Sequence, residues 1–116
     1  MAEPRSYAEI LRNGLVLGRD FRVAFGDSKI ENCLLLAPHG GGIEPGTSDI
    51  MRAVAEAGGW AWYEVAGFLR KGNKEALHLA STEFDQPTPN GVLPPTSFVL
   101  SFHGASEAEE PLVYVG

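Results

Sequence analysis

Ala37-Pro38-His39-Gly40-Gly41-Gly42-Ile43-Glu44-Pro45-Gly46-Thr47-Ser48 places two good metal ligands, His39 and Glu44, on a glycine-rich turn between an apolar run and a helical pattern. The run before it, residues 33–37, is short and continuously apolar, the pattern of a strand buried on both faces, and should end near Pro38. Three consecutive glycines let the backbone take positive φ and approach a ligand without side-chain clash. His39 is therefore expected at a strand's carboxyl end, where open α/β sheets build their sites. Pro45-Gly46 then turns the chain. Thr47 or Ser48 can cap the helix that follows, and Asp49 in its first turn suits the positive end of the helix dipole. Ile50, Val54 and Ala57 form its expected buried stripe, with Gly58-Gly59 as the C-terminal stop.

Working outward, strand and helix patterns alternate, as in α/β sheets. A helix is expected at about 6–11, followed by a period-two strand at 21–25 with Phe21, Val23 and Phe25 on one face. A turn at Gly26-Asp27-Ser28 leads into the buried strand before His39. Residues 60–66 are aromatic and β-prone, residues 77–80 read as another short strand, and residues 98–102 as a further buried run. Between the last two, residues 86–95 hold Pro87, Pro89, Gly91, Pro94 and Pro95, a loop without regular structure. The predicted fold is α/β: an open, mostly mixed or parallel sheet flanked by helices, forming one domain over residues 1–116.

The segment Phe98-Val99-Leu100-Ser101-Phe102-His103-Gly104 ends a second apolar run on a histidine, so His39, Glu44 and His103 can meet in space. Two imidazoles and one carboxylate make a catalytic zinc set. Other readings of the glycine loop compete. Gly41 to Gly46-Thr47-Ser48 is one residue from a phosphate-binding P-loop, but Thr47 stands where that motif needs its lysine. His39-Gly40-Gly41-Gly42 resembles an esterase oxyanion loop, yet the chain has no G-x-S-x-G elbow and no H-E-x-x-H helix. A tight βα turn whose His39 and Glu44 merely cap nearby backbone stays open on these residues alone.

Several segments in order carry a resemblance to a known family: APHGGGIEPGTSDI (residues 37–50), residues 62–67, LHLASTEFDQP (residues 77–87), SFHG (residues 101–104) and the final VYVG. Together they resemble the poly-γ-glutamate hydrolase family of phages and bacteria, itself similar to zinc carboxypeptidases in fold and site. The resemblance implies Zn2+ held by His39, Glu44 and His103, and hydrolysis of a γ-glutamyl amide in which zinc polarises the carbonyl and activates water. It implies a phage or prophage origin. It also implies that family members run on past residue 116 and carry their general base there, so the chain reads as a truncated, amino-terminal portion of the family domain. Glu107, Glu109 and Glu110 lie in an Ala/Glu-rich stretch that reads as a solvated loop, and no catalytic base is assigned, so weak or no hydrolysis of poly-γ-glutamate is expected of this chain by itself. A non-catalytic binding or structural remnant of the same fold is the alternative.

On the substrate side the candidates are Arg70, Lys71, Asn73 and His78. The resemblance implies cationic side chains gripping the carboxylates that flank the cleaved bond. A solvated turn around Gly72-Asn73, with Lys74 nearby, is the competing reading of the basic cluster. The resemblance puts His78 beside the metal rather than on it. As a strand residue between Leu77 and Leu79 it would face away from both leucines, and a hydrogen-bonded structural histidine explains it equally. Ser81 and Asp85 are as consistent with turn formation.

Nine basic and fifteen acidic side chains give a net charge of −6, which repels polyanions at long range and argues against nucleic-acid binding. The lone Cys33 excludes an internal disulfide and packs as a small hydrophobe. Residues 1–13 include Glu3, Arg5, Glu9 and Arg12 and no apolar run of signal-peptide length. Cytoplasmic synthesis without membrane attachment is expected, with cell lysis releasing the protein to act outside. An open sheet edge near residues 112–115 would favour a homo-oligomer.

Overall fold

The computed structural model describes residues 3–26, 30–80 and 98–104. Four strands form one mixed sheet in the order β1-β3-β2-β4: β1 is Phe21–Gly26, β2 Ile30–Gly41, β3 Trp60–Gly67 and β4 Val99–Ser101. β1 runs antiparallel to β3, whereas β2 is parallel to both β3 and β4. Three helices complete the described elements: α1 (Tyr7–Arg12), α2 (Thr47–Gly58) and α3 (Asn73–Leu77). The α/β reading holds, and the glycine loop is the connection from β2 into α2. Among the described residues no helix is long and apolar enough to cross a membrane.

Two apolar clusters sandwich the sheet. On one face Met51 and Ala55 of α2 pack against Cys33, Leu35 and Ala37 of β2, with Trp60, Trp62 and Phe102 alongside. On the other, Ile10 of α1 and Leu77 of α3 meet Phe21, Ile43, Tyr63, Val65 and Leu79. Alternation along β3 supplies both: Tyr63 and Val65 face one way, Trp60 and Trp62 the other. α1 begins where expected, with the Ser6 hydroxyl accepting the Glu9 N–H at 3.1 Å as an N-cap.

Several expectations are corrected. β2 does not end near Pro38 but continues to Gly41. The ladder to β3 slips between Ala37 and Gly40, so Pro38, which has no N–H to donate, falls in an irregularity before pairing resumes at Gly40 and Gly41. The buried stripe of α2 is Thr47, Met51 and Ala55, not Ile50, Val54 and Ala57; Ile50 is 58% exposed. The stripe begins with a polar residue that an apolar pattern cannot show. Neither Thr47 nor Ser48 caps α2; Gly46, in the left-handed region, is the N-cap. Gly59 is the C-cap, as expected.

Residues 77–80 do not form a strand. Leu77 closes α3, and the chain then runs on extended without sheet pairing, so Leu77 and Leu79 enter the core from a helix end and a coil. In β1, Phe21 is buried while Phe25, expected on the same face, is largely exposed. β4 is not a buried run: Val99 and Leu100, with Phe98 just before them, are exposed, and among the described residues β4 lies at one end of the sheet. The readings at residues 27–28, 81–97 and 105–116, including Ser81, Asp85 and Glu107, lie outside the described residues.

Candidate metal centre

The carboxyl ends of the parallel strands β2 and β4 deliver the two expected histidines to one place. His39 belongs to the last residues of β2, and His103 follows β4 by two residues. Glu44 returns to His39 because the turn closes tightly: the Glu44 N–H donates to the His39 carbonyl at 2.9 Å and the Ile43 N–H to the Gly40 carbonyl at 3.2 Å. The buried Thr47 hydroxyl lies 2.9 Å from the Glu44 carbonyl and 3.2 Å from that of His39, locking the turn to the first residue of α2. The Ser48 hydroxyl accepts the Gly41 N–H at 3.0 Å.

The resulting contact is a triangle of potential ligand atoms. His39 Nδ1 is 3.3 Å from Glu44 Oε1 and 3.2 Å from His103 Nδ1, and His103 Nδ1 is 3.6 Å from Glu44 Oε1. On His39 the proton sits on the far side of the ring. His39 Nε2 lies 2.5 Å from the Leu79 carbonyl, which can only accept, so this nitrogen carries the hydrogen and the neutral ring presents a bare Nδ1 to the triangle. Such a hydrogen bond to the remote ring nitrogen fixes both tautomer and orientation in metal-binding histidines. Ser101 Oγ occupies the equivalent place on His103, 2.9 Å from its Nε2. The Gly104 N–H donates to Glu44 Oε1 at 2.9 Å, tying the β4 end to the turn.

His78 joins this set from outside. Its ring stacks on His39, with centroids 4.0 Å apart and planes at 29°, and its Nε2 is 3.7 Å from Glu44 Oε2. His39, Glu44 and His78 therefore form a compact group of possible ligands, all within 4.8 Å. We favour His103 over His78 as the third ligand on geometric grounds. A nitrogen lone pair lies in its ring plane, so two nearly parallel stacked rings aim their lone pairs side by side, whereas the 58° tilt between His39 and His103 lets them converge.

The other sequence candidates fall into two kinds. Asn73 is buried, and its amide clasps one residue's backbone twice: Oδ1 accepts the Leu69 N–H and Nδ2 donates to the Leu69 carbonyl, both at 2.8 Å. The same side chain fills the space a Cβ at Gly42 or Gly67 would need, so it buttresses the glycine loop. Arg70 and Lys71 are exposed between β3 and α3. Sequence reasoning named Thr47 only as a possible helix cap and did not single out the supporting groups at Leu79, Ser101 and Gly104, of which Leu79 and Gly104 act through the backbone, whose contacts residue identity does not reveal.

Burial holds the His39 imidazole below its ordinary 6.5; the Leu79 carbonyl opposes this, His78 adds to the lowering, Glu44 opposes it and His103 adds again. In the metal-free protein the unfolded chain then takes up this proton first as pH falls through about 6.5. The stability tied to neutral His39 is thus complete above that value and is lost as pH falls toward the lowered folded pKa. Urea midpoints at about pH 7.5 and about pH 5.5 should show acid destabilisation that is smaller in His39→Gln. Equal acid shifts in the two proteins would refute this.

Gly41 offers a second check. Its φ is 60°, and a Cβ there would come within 2.5 Å of the Gly67 carbonyl oxygen and 2.8 Å of the Gly67 nitrogen, both backbone atoms. Gly41→Ala should lower stability by more than about 1–3 kcal/mol, since steric overlap adds to the left-handed strain. Denaturant unfolding measures it, and an unchanged midpoint would show that the strand end can yield.

An α/β sheet with a His-Glu-His cluster at the ends of its parallel strands defines a class, proteins with a candidate metal centre at the sheet's carboxyl edge. The chain belongs to the poly-gamma-glutamate hydrolase family, whose model matches residues 5–116. It is 41% identical over 81 residues to the SPbeta prophage-derived UPF0714 protein YoqZ of Bacillus subtilis (strain 168), covering 69% of this chain and 28% of that protein. It is 37% identical over 79 residues to the UPF0714 protein YndL of the same organism, covering 68% and 30%. The chain thus spans under a third of the length of these two relatives. The solved structure of a bacteriophage poly-gamma-glutamate hydrolase superposes with a TM-score of 0.65 at 29% identity, covering 75% of this chain and 41% of that one. A zinc-free apo structure of YndL superposes at 0.63 with 33% identity, covering 75% and 40%.

Proposed function

We propose that this chain carries the zinc-binding part of a hydrolase that cleaves γ-glutamyl amide bonds in poly-γ-glutamate. The observation that carries the metal assignment is the ligand triangle. Tetrahedral zinc with bonds of about 2.0–2.2 Å separates its ligand atoms by roughly 3.3–3.6 Å. The three edges here are 3.2, 3.3 and 3.6 Å. Zinc-type softness also suits the set: two neutral imidazole nitrogens and one carboxylate oxygen, with one side facing solvent at the 38%-exposed His103. The solved YndL structure is described as the zinc-free apo form, which makes zinc the ion associated with that relative and supports the same ion here.

Bound to His39, Glu44 and His103, zinc supplies Lewis-acid polarisation of a carbonyl and an activated water, the chemistry of the zinc carboxypeptidase type. The chain's own residues prepare that position. Leu79 and Ser101 orient the two imidazoles, and Gly104 and the locked turn hold the Glu44 carboxylate. Arg70 and Lys71, exposed beyond the end of β3, offer cations to the free carboxylates of a polyanionic substrate. The family match supports poly-γ-glutamate as that substrate.

Incubating the polymer with the protein, with zinc or with a chelator, and following chain length by gel filtration tests the reading. Zinc-dependent shortening that vanishes in His39→Ala supports it. Shortening that persists equally in chelator would refute a zinc mechanism.

A further inference from the structure

We propose that Glu3 and His78 brace the ligand set, Glu3 fixing the His78 ring and His78 holding the stacked His39 ring in ligating position. The inference rests on the zinc reading above and deepens it. Glu3 precedes residues 5–116, the part of the chain that matches the family model.

His78 is anchored at both ends by its neighbours. Leu77 and Leu79 are 1% and 0% exposed in the same apolar cluster, and the His78 N–H donates to the Lys74 carbonyl, closing α3. From this fixed backbone one short segment reaches His39 twice. The Leu79 carbonyl takes the Nε2 hydrogen, and the His78 ring covers the face of the imidazole. The side chain of His78 is only 16% exposed, and its Nε2 lies 3.7 Å from Glu44 Oε2, beyond hydrogen-bond reach, so its hold on the site is the stacked His39 ring.

What remains undetermined by these contacts is rotation of the His78 ring, and Glu3 fixes it. Glu3 Oε2 lies 3.0 Å from His78 Nδ1, across 75 residues of sequence. A carboxylate accepts only, so it selects the Nδ1–H form and keeps the ring plane aligned with His39. The segment bearing Glu3 is itself secured: Pro4 is buried, and Ile10 of α1 sits at 0% exposure in the cluster that holds Leu77 and Leu79. The amino-terminal segment is thereby coupled to the metal site through packing and one hydrogen bond. Hydrogen-bonded partners outside the ligands typically change metal affinity by about 10–100-fold when removed.

Zinc affinity of the whole chain, measured by competition with a chromophoric chelator, tests the brace through two single variants and their combination. His78→Ala should weaken zinc by about 10–100-fold, and Glu3→Ala by roughly tenfold. In the double variant the Glu3 change should add nothing, since its effect passes through His78. Glu3→Gln, which keeps an acceptor oxygen for Nδ1–H, should recover most of the affinity. The 42%-exposed Glu3 side chain can be changed without loss of fold, so metal-free melting temperatures should match the wild type. Unchanged affinity in Glu3→Ala, additive losses in the double variant, or losses that track a lowered metal-free melting temperature would each overturn the proposal. A wild-type chain that binds no zinc would overturn it together with the zinc reading; a wild-type chain that binds zinc with Glu3→Ala unchanged overturns the brace alone.

Discussion

Zinc titrated into the metal-free protein should bind at about one ion per chain, and His39→Ala combined with His103→Ala should abolish binding over the accessible concentration range. The expected size follows from sharing the binding free energy among few ligands. Apparent zinc affinities of roughly 10–16 kcal/mol in four-ligand sites leave about 2.5–4 kcal/mol per ligand, so each single histidine variant should lose on the order of a hundredfold. The two histidines are not equivalent in what else they do. His39 is 2% exposed and bonded to Leu79, so its removal also costs stability, whereas the 38%-exposed His103 can be truncated with little effect on the metal-free fold. His103→Ala therefore isolates the metal contribution. Calorimetric titration of both variants decides the matter: unaltered stoichiometry and affinity in His103→Ala would move the third ligand to His78.

The clustering of His39, Glu44 and His103 was legible in the sequence because these residues sit at punctuation marks. His39 follows an apolar run and precedes three glycines, and His103 ends the next parallel strand before Gly104. Residue type and strand polarity together place such groups at one edge of a sheet. The register of α2 was not legible, because Thr47 leads its buried stripe through hydrogen bonds to two carbonyls and no hydropathy pattern ranks a threonine above Ile50. The segment Leu77-His78-Leu79 misled for a related reason. Its alternation is real, but the two leucines reach one apolar cluster from a helix end and an extended coil, so burial is reproduced without a ladder. Asn73 looked like a turn residue or a polar contact for substrate, while its amide in fact clasps the Leu69 backbone, a role set by the fold around Gly42 and Gly67.

Glu64 is the residue the sequence concealed most completely, and its removal should be the most damaging single change away from the ligand set. It stands in the middle of β3, opposite Ala24 and Ala37, and is 0% exposed. Two guanidiniums from different elements converge on its Oε1: Arg22 of β1 at 3.2 Å and Arg52 of α2 in close contact. Each arginine lies over an aromatic ring, Arg22 over Phe68 at 5.0 Å and Arg52 over Trp62 at 4.7 Å, so their positions are set by packing as well as charge. The carboxylate thus ties helix α2 and edge strand β1 to the central strand. Because the arginines are each roughly half exposed, the pairs by themselves add modest stability. Breaking them is another matter: Glu64→Ala leaves two cations crowded beside a buried gap, and removing one partner of a buried pair costs about 3–5 kcal/mol. Set against a total of about 5–15 kcal/mol for a domain, that is enough to leave the chain largely unfolded under mild denaturant. Glu64→Gln should cost less, since the shape and one acceptor survive. Arg52→Met in the Glu64→Leu background should regain part of the loss, because the surplus charge is withdrawn together with its partner. Urea unfolding of these variants beside the wild type measures the differences, and a Glu64→Ala midpoint equal to that of the wild type would show that the arginines simply turn to solvent and that packing alone holds α2 on the sheet.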